Sequence, residues 1–189
     1  NPEYFNYYPY GVTISYWYYQ YANPGRRLSL SKFDIGDDGW LFGHTGENPD
    51  MRFIIENNNT QVRTGSLTDG EWNMVTVTYN PADNSLRSFT NGEAVGQNTV
   101  DLIPMTVPDA QILIGGAGSD SIDAAIDEVR IYSYPMSAVE VAELYTATTP
   151  EEEFLCIDDG SPLAYDLNDD CRVDLADLAE LANWWLECE

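Results

Sequence analysis

The chain has 189 residues, 43% of them hydrophobic and 13% aromatic, which is enough for one core of ordinary size and too apolar for a disordered chain. Its 32 acidic residues against 8 basic ones give a formal net charge of -24. That balance excludes nucleic acid as a partner, because phosphate contacts need Lys or Arg, and it suits hard cations, calcium first among them. No apolar run approaches the roughly 18 residues of a membrane span, and nothing at the start reads as a signal peptide, so a secreted form would already have lost its signal.

The first element announces itself by its aromatic content: EYFNYYPYGVTISYWYYQY, residues 3–21, holds ten aromatic residues. Strand alternation over GVTISYWYYQY puts Val12, Ile14, Tyr16 and Tyr18 on a core face and Thr13, Ser15, Trp17 and Tyr19 on the other. Trp17 and Tyr19 are therefore candidate ligand-binding rings on an exposed face. Ahead of them, Tyr4, Phe5, Tyr7, Tyr8 and Tyr10 exceed what a short edge needs for its own packing, which makes them candidate assembly contacts.

Further short β-type runs follow: RRLSLSKF, MRFII, QVRTGSL, WNMVTVTY, SLRSFTNG, QILIGG and AAIDEVRIY. Asp38-Gly39, Asp69-Gly70, Asp83-Asn84 and Asn91-Gly92 fall between them, pairs that tolerate the positive φ of tight turns. This spacing predicts an all-β antiparallel sandwich or barrel. His44, in LFGHTGEN, reads as a surface-loop histidine with no nucleophile beside it, and Trp72 as a core residue. Asn58-Asn59-Thr60 matches a glycosylation sequon and marks at most a surface loop. Ser137 and Glu140 form a capping box that opens a short helix over about 137–145. TATTPEEEF then reads as a linker, giving a body at 1–148, a linker at 149–162 and a small separate unit at 163–189.

In sequence order, EWNMVTVTYN, LRSFTNGEAVG, ILIGG and IDEVRIYSYPMSAVEVAELY resemble the laminin G-like, concanavalin A-like jelly-roll domains over about 11–146. The resemblance implies an antiparallel jelly-roll β-sandwich with one short helix. Such domains usually begin one strand earlier, so residues 1–10 are either a degenerate version of that strand or the strand is missing, which would leave an edge able to accept another chain. Related jelly rolls include glycosidases, which need two carboxylates facing one sugar bond. The alternating Glu-x-Asp-x-Glu signature is absent, and the expectation is a protein without catalysis. Alternation along IDEVRIY places Asp127 with Val129 and Ile131 on an apolar face. There the resemblance implies a calcium ion, against the alternative of a hydrogen-bonded structural Asp.

The tail carries a twelve-residue pattern, DLNDDCRVDLAD, with oxygen ligands at the positions a calcium loop requires. Asp166, Asn168, Asp170, Asp174 and Asp177 would supply side chains and Arg172 its carbonyl. The pattern resembles a dockerin repeat over about 163–187, which implies a cohesin-like partner. Cys171 stands where the usual Gly would, and one repeat is present where a dockerin has two. A helix over about 175–187 carries Cys188 away from Cys171, so the expected disulfide joins Cys156 to Cys188. Together these features predict an extracellular adhesion or recognition module for a glycan or protein ligand. The alternative is a self-assembling filament or surface-layer subunit, with calcium ordering the tail in either case.

Overall fold

Among the described residues, ten strands and one helix follow one another as β1 Val12–Gln20, β2 Arg26–Phe33, β3 Gly39–Thr45, β4 Asp50–Ile55, β5 Thr60–Ser66, β6 Trp72–Asn80, β7 Ser85–Thr90, β8 Glu93–Thr99, β9 Leu113–Ile114, β10 Ala124–Tyr132 and α1 Ala138–Thr148. The computed structural model describes residues 10–21, 26–33, 39–45, 50–55, 60–100, 111–116 and 122–149. The strands form two five-stranded sheets, ordered β10-β1-β6-β7-β8 and β5-β4-β3-β2-β9, and every pairing is antiparallel.

Period-2 alternation builds the space between the sheets. Val12, Ile14, Tyr16 and Tyr18 of β1 are all at most 1% exposed and pack with Val75 and Val77 of β6 against Trp40, Phe42 and Phe53 of the facing sheet. The Tyr16 ring meets Phe42 edge-on at 5.1 Å, and Phe42 meets Phe53 edge-on at 5.8 Å, arrangements that suit the ring quadrupoles. At the Asn91-Gly92 turn both residues take positive φ, 51° and 82°, as a two-residue hairpin loop requires.

The second sheet contains a strand that the sequence reading had taken for a Gly-rich loop. β3, GWLFGHT, buries Trp40, Leu41 and Phe42, and His44 is 0% exposed with its ring 6.0 Å from that of Tyr18. His44 is therefore a buried strand residue and not a surface-loop one. Gly39 and Gly43 break the hydrophobic alternation along this strand, which is why its period is hard to see.

Asp127 also differs from expectation. The β1–β10 register runs Ser15 opposite Arg130 and then Trp17 opposite Asp127, so β10 carries one extra residue there, and Glu128 takes φ 53°. A bulge of this kind reverses the alternation. Ile126 and Val129, three apart, both pack on the core, whereas Asp127 is exposed and accepts the Glu128 backbone N–H at 2.7 Å. Asp127 does not share the apolar face of Val129 and Ile131.

The two sheets meet along the β5–β8 edge. There the hydroxyls of Ser88 and Thr90 donate to the Arg63 and Thr64 carbonyls, and the Asn98 amide donates to the Gln61 carbonyl at 2.9 Å. Gly96 permits this approach: a Cβ on it would stand 2.6 Å from the Arg63 carbonyl oxygen and 2.6 Å from Ser88 Oγ.

The capping box forms as the sequence predicts. Glu140 N–H donates to Ser137 Oγ at 3.2 Å, and the Ser137 N–H donates to the Glu140 carboxylate at 2.8 Å. The helix continues to Thr148 and lays Val141, Ala142 and Tyr145 over Trp17, Met74 and Phe89 on the outer face of the β1 sheet. Both faces of β1 are thus covered.

Tyr10 is 79% exposed. Tyr4, Phe5, Tyr7, Tyr8, Asn58 and Asn59 of the sequon, the linker past Thr149, Cys156, Cys188 and the calcium-loop residues Asp166, Asn168, Asp170, Arg172, Asp174 and Asp177 lie outside the described residues. Among the described residues, no helix is long and apolar enough to cross a membrane.

Candidate functional site: an aromatic groove beside the helix

The outer face of the β1 sheet is shielded by α1 only in part. Past the C-terminal end of the helix a groove of about 890 Å³ remains, bounded by the ends of β5 and β8 and the turn into β6. Tyr19 and Trp72 are directly opposite each other in the β1–β6 register, with ring centroids 5.5 Å apart at 62°. Tyr21 continues the row, 5.2 Å from Tyr19. At the inner end, Trp17 stacks on Tyr145 of the helix at 5.6 Å and 29°, and the Trp17 indole N–H donates to Thr148 Oγ1 at 3.1 Å.

Local chemistry holds this platform in place. Gly70, at φ 75°, turns the chain into β6 and donates its N–H to the Gln20 carbonyl at 2.9 Å. The Asn73 amide braces the same turn from below, donating to the Thr68 and Glu71 carbonyls at 3.1 Å each. Across the groove, Asn91 accepts the Met74 N–H through its side chain and donates its own backbone N–H to the Met74 carbonyl, both at 2.8 Å. Rings set on paired strands and braced turns lose little entropy when a ligand covers them.

Polar groups complete the lining: Ser66, Thr90, Asn91 and Thr149 bring hydroxyl and amide side chains that are already bonded within the protein, to Asp50, the Thr64 carbonyl, the Met74 N–H and the Tyr145 carbonyl in turn, while Glu71 and Glu93 add two exposed carboxylates. Among the described residues that line the groove there is no Lys or Arg. Planar aromatic faces beside neutral hydrogen-bonding groups can hold a sugar ring, whose C–H face stacks while its hydroxyls find partners. No group of three or more His, Cys, Asp or Glu among the described residues is placed to hold a metal ion.

Of the two rings expected on an exposed face, Tyr19 is half-buried and lines the groove, whereas Trp17 is only 8% exposed because the helix covers it. The expectation of an exposed Trp17 is corrected on that ground: alternation gives the face, and the helix decides what lies over it. Trp72, expected in the core, is 45% exposed. It opens β6 on the same side as Met74, and the alternation of Val75, Val77 and Tyr79 toward the interior is the signal that places it outside. Glu71, Glu93, Asn91 and Tyr145 are not legible as groove residues from the sequence, since two separate turns and the helix bring them together.

Two antiparallel sheets packed face to face with a helix on one of them define a jelly-roll β-sandwich domain. The chain belongs to the Concanavalin A-like lectin/glucanases superfamily, as a laminin G-type domain matched over residues 2–142. No curated protein matches it. Among solved structures, the fold is similar to the binding domain of botulinum neurotoxin DC in complex with SialylT, at 15% identity and TM-score 0.60, covering 77% of this chain and 38% of that one. It is also similar to botulinum neurotoxin type C, whose cell entry is dependent upon interaction with two ganglioside molecules, at 17% identity and TM-score 0.57, covering 75% of this chain and 36% of that one. A third is the native heptameric SAP-like pentraxin of Limulus polyphemus, at 11% identity and TM-score 0.55, covering 76% of this chain and 73% of that one. The chain thus spans under two-fifths of the neurotoxin chains it resembles.

Proposed function

We propose that this protein is a non-catalytic, extracellular glycan-recognition module that binds its ligand in the groove beside α1. The observation that carries this reading is the paired platform of half-buried Tyr19 and exposed Trp72, held in position on facing strand residues within a polar-lined groove. Exposed large rings cost solubility and persist where they meet a partner. Fold neighbours are described in complex with SialylT and in complex with rat synaptotagmin II, which fits a glycan or a protein ligand alike, and the aromatic platform is what favours the glycan. Membership of a superfamily whose description covers both lectins and glucanases leaves catalysis undecided. The absence of the alternating glycosidase carboxylate motif is what favours a binding role.

The test is an array of neutral, acidic and amino glycans probed with the wild type and with Trp72→Ala. Binding to any class that falls at least tenfold in the variant is the expected result, a loss of about 1.4 kcal/mol that is within the range for truncating a central aromatic contact. No glycan bound, or full retention by Trp72→Ala, would overturn the reading.

In the same proposal, residues 163–189 form a calcium-dependent attachment unit, with Asp166, Asn168, Asp170, Asp174, Asp177 and the Arg172 carbonyl around the ion. The support is their spacing. A cohesin-like partner follows from the same pattern. Asp127 remains a candidate for a second calcium ion, now as an exposed carboxylate. A second reading, a self-assembling filament subunit, is favoured by β9, the outermost strand of its sheet among the described residues, on which Leu113 and Ile114 are 37% and 57% exposed. Such an apolar edge is a template for strand addition.

A further inference from the structure

The charge of the groove carries the assignment one step further, and this step rests on the glycan reading above. Glu71 stands beside Trp72 at the turn into β6, and Glu93 opens β8 on the opposite side. Both are exposed, both line the groove, and no basic side chain among its described lining residues offsets them. The wider field has the same sign, with a formal net charge of -24 over the chain. A sialylated or uronic glycan entering here would bring like charge toward two carboxylates, with no guanidinium to accept its acid group. An amino sugar in its protonated form would instead set its ammonium against a carboxylate while its ring lies on Trp72, whose π-face also attracts cations.

We propose that the groove selects amino-bearing, cationic glycans, such as polymers of glucosamine with free amines, takes their N-acetylated forms more weakly, and rejects acidic glycans. Specificity is a difference of affinities, and here it comes from a neutral aromatic platform that holds the ring and from a pair of carboxylates that reads the substituent.

The experiment is isothermal titration of the full chain with a glucosamine hexamer, the N-acetylglucosamine hexamer and sialyllactose, at a pH where the sugar amines are protonated, for wild type, Glu71→Gln/Glu93→Gln and Trp72→Ala. The expected wild-type order is glucosamine hexamer tightest, acetylated hexamer about fivefold to tenfold weaker, and sialyllactose unbound, as two partly exposed ion pairs allow. In Glu71→Gln/Glu93→Gln the affinities for the first two should converge. Trp72→Ala should lose both.

Equal wild-type affinity for the two hexamers would overturn charge selection and leave glycan binding intact. So would an unchanged preference in the double variant, since it removes only two of 32 acidic residues and the preference would then belong to the overall charge. Binding of no glycan would sink the underlying reading as well.

Discussion

Tyr16 and Tyr18 are two residues apart on β1 and fully buried, yet their hydroxyls meet different fates. The Tyr16 hydroxyl shares a hydrogen bond with Ser29 Oγ at 2.5 Å, and Ser29 in turn donates to the Phe42 carbonyl at 2.8 Å. The Tyr18 hydroxyl has no partner among the described residues. Tyr16→Phe should therefore cost about 1 kcal/mol by urea unfolding, the typical net value of one hydrogen bond, while Tyr18→Phe should be neutral or stabilising by up to about 1 kcal/mol. Titration offers a second readout. Burial pushes the Tyr18 phenol up to about 12, helped by the nearby negative charges of Asp123 and Asp69, and burial raises Tyr16 as well. Since the folded state holds these protons more tightly, their contribution to stability is complete below the ordinary tyrosine range of about 10 and is lost as the pH climbs toward 12. Replacing either tyrosine with Phe should make that alkaline decline shallower. Alternation alone assigned both rings to the core, but nothing in the text distinguishes a satisfied hydroxyl from an orphaned one, because Ser29 arrives from the other sheet.

Between elements, the β5–β8 seam joins the two sheets through side-chain donors reaching backbone carbonyls. At Gly96 there is no room for a side chain between β8, the Arg63 carbonyl and Ser88 Oγ. Gly96→Ala should push β8 away from Arg63, lose the Ser88 and Asn98 bonds and destabilise the domain by about 1–3 kcal/mol, the usual cost of overpacking. Loss of amide-exchange protection along β5 and β8, with the β1–β6 pairing unaffected, would locate the damage at the seam; a midpoint unchanged from wild type would show that the strands have room. Strands, the Asn91-Gly92 hairpin and the capped helix were all legible in the sequence, since each depends on neighbours within a few residues. The β3 strand and the β10 bulge were not. Two glycines mask the first, and the second appears only when β10 must match β1 residue by residue.

At the scale of the whole molecule, the tail is separable from the sandwich in its chemistry. If residues 163–189 form a calcium loop, calcium added to the metal-free full chain should shift amide resonances in the tail and leave those of the β1–β10 body in place; Asp166→Asn with Asp174→Asn should weaken the effect at least tenfold. A tail spectrum indifferent to calcium removes the attachment unit from the proposal. Sedimentation of the same samples separates the two functional readings, since a recognition module stays monomeric and a filament subunit polymerises when calcium is present. The sequence by itself determined the all-β class, the family, the two faces of β1 and the helix start, because periodicity, turn chemistry and capping are written in short stretches. Only the tertiary structure decided that Trp17 is covered, that Trp72 is exposed, that His44 is buried and that Glu71 and Glu93 share one groove. Those facts depend on which distant segment lies over a given face, and alternation along a strand carries no information about its cover.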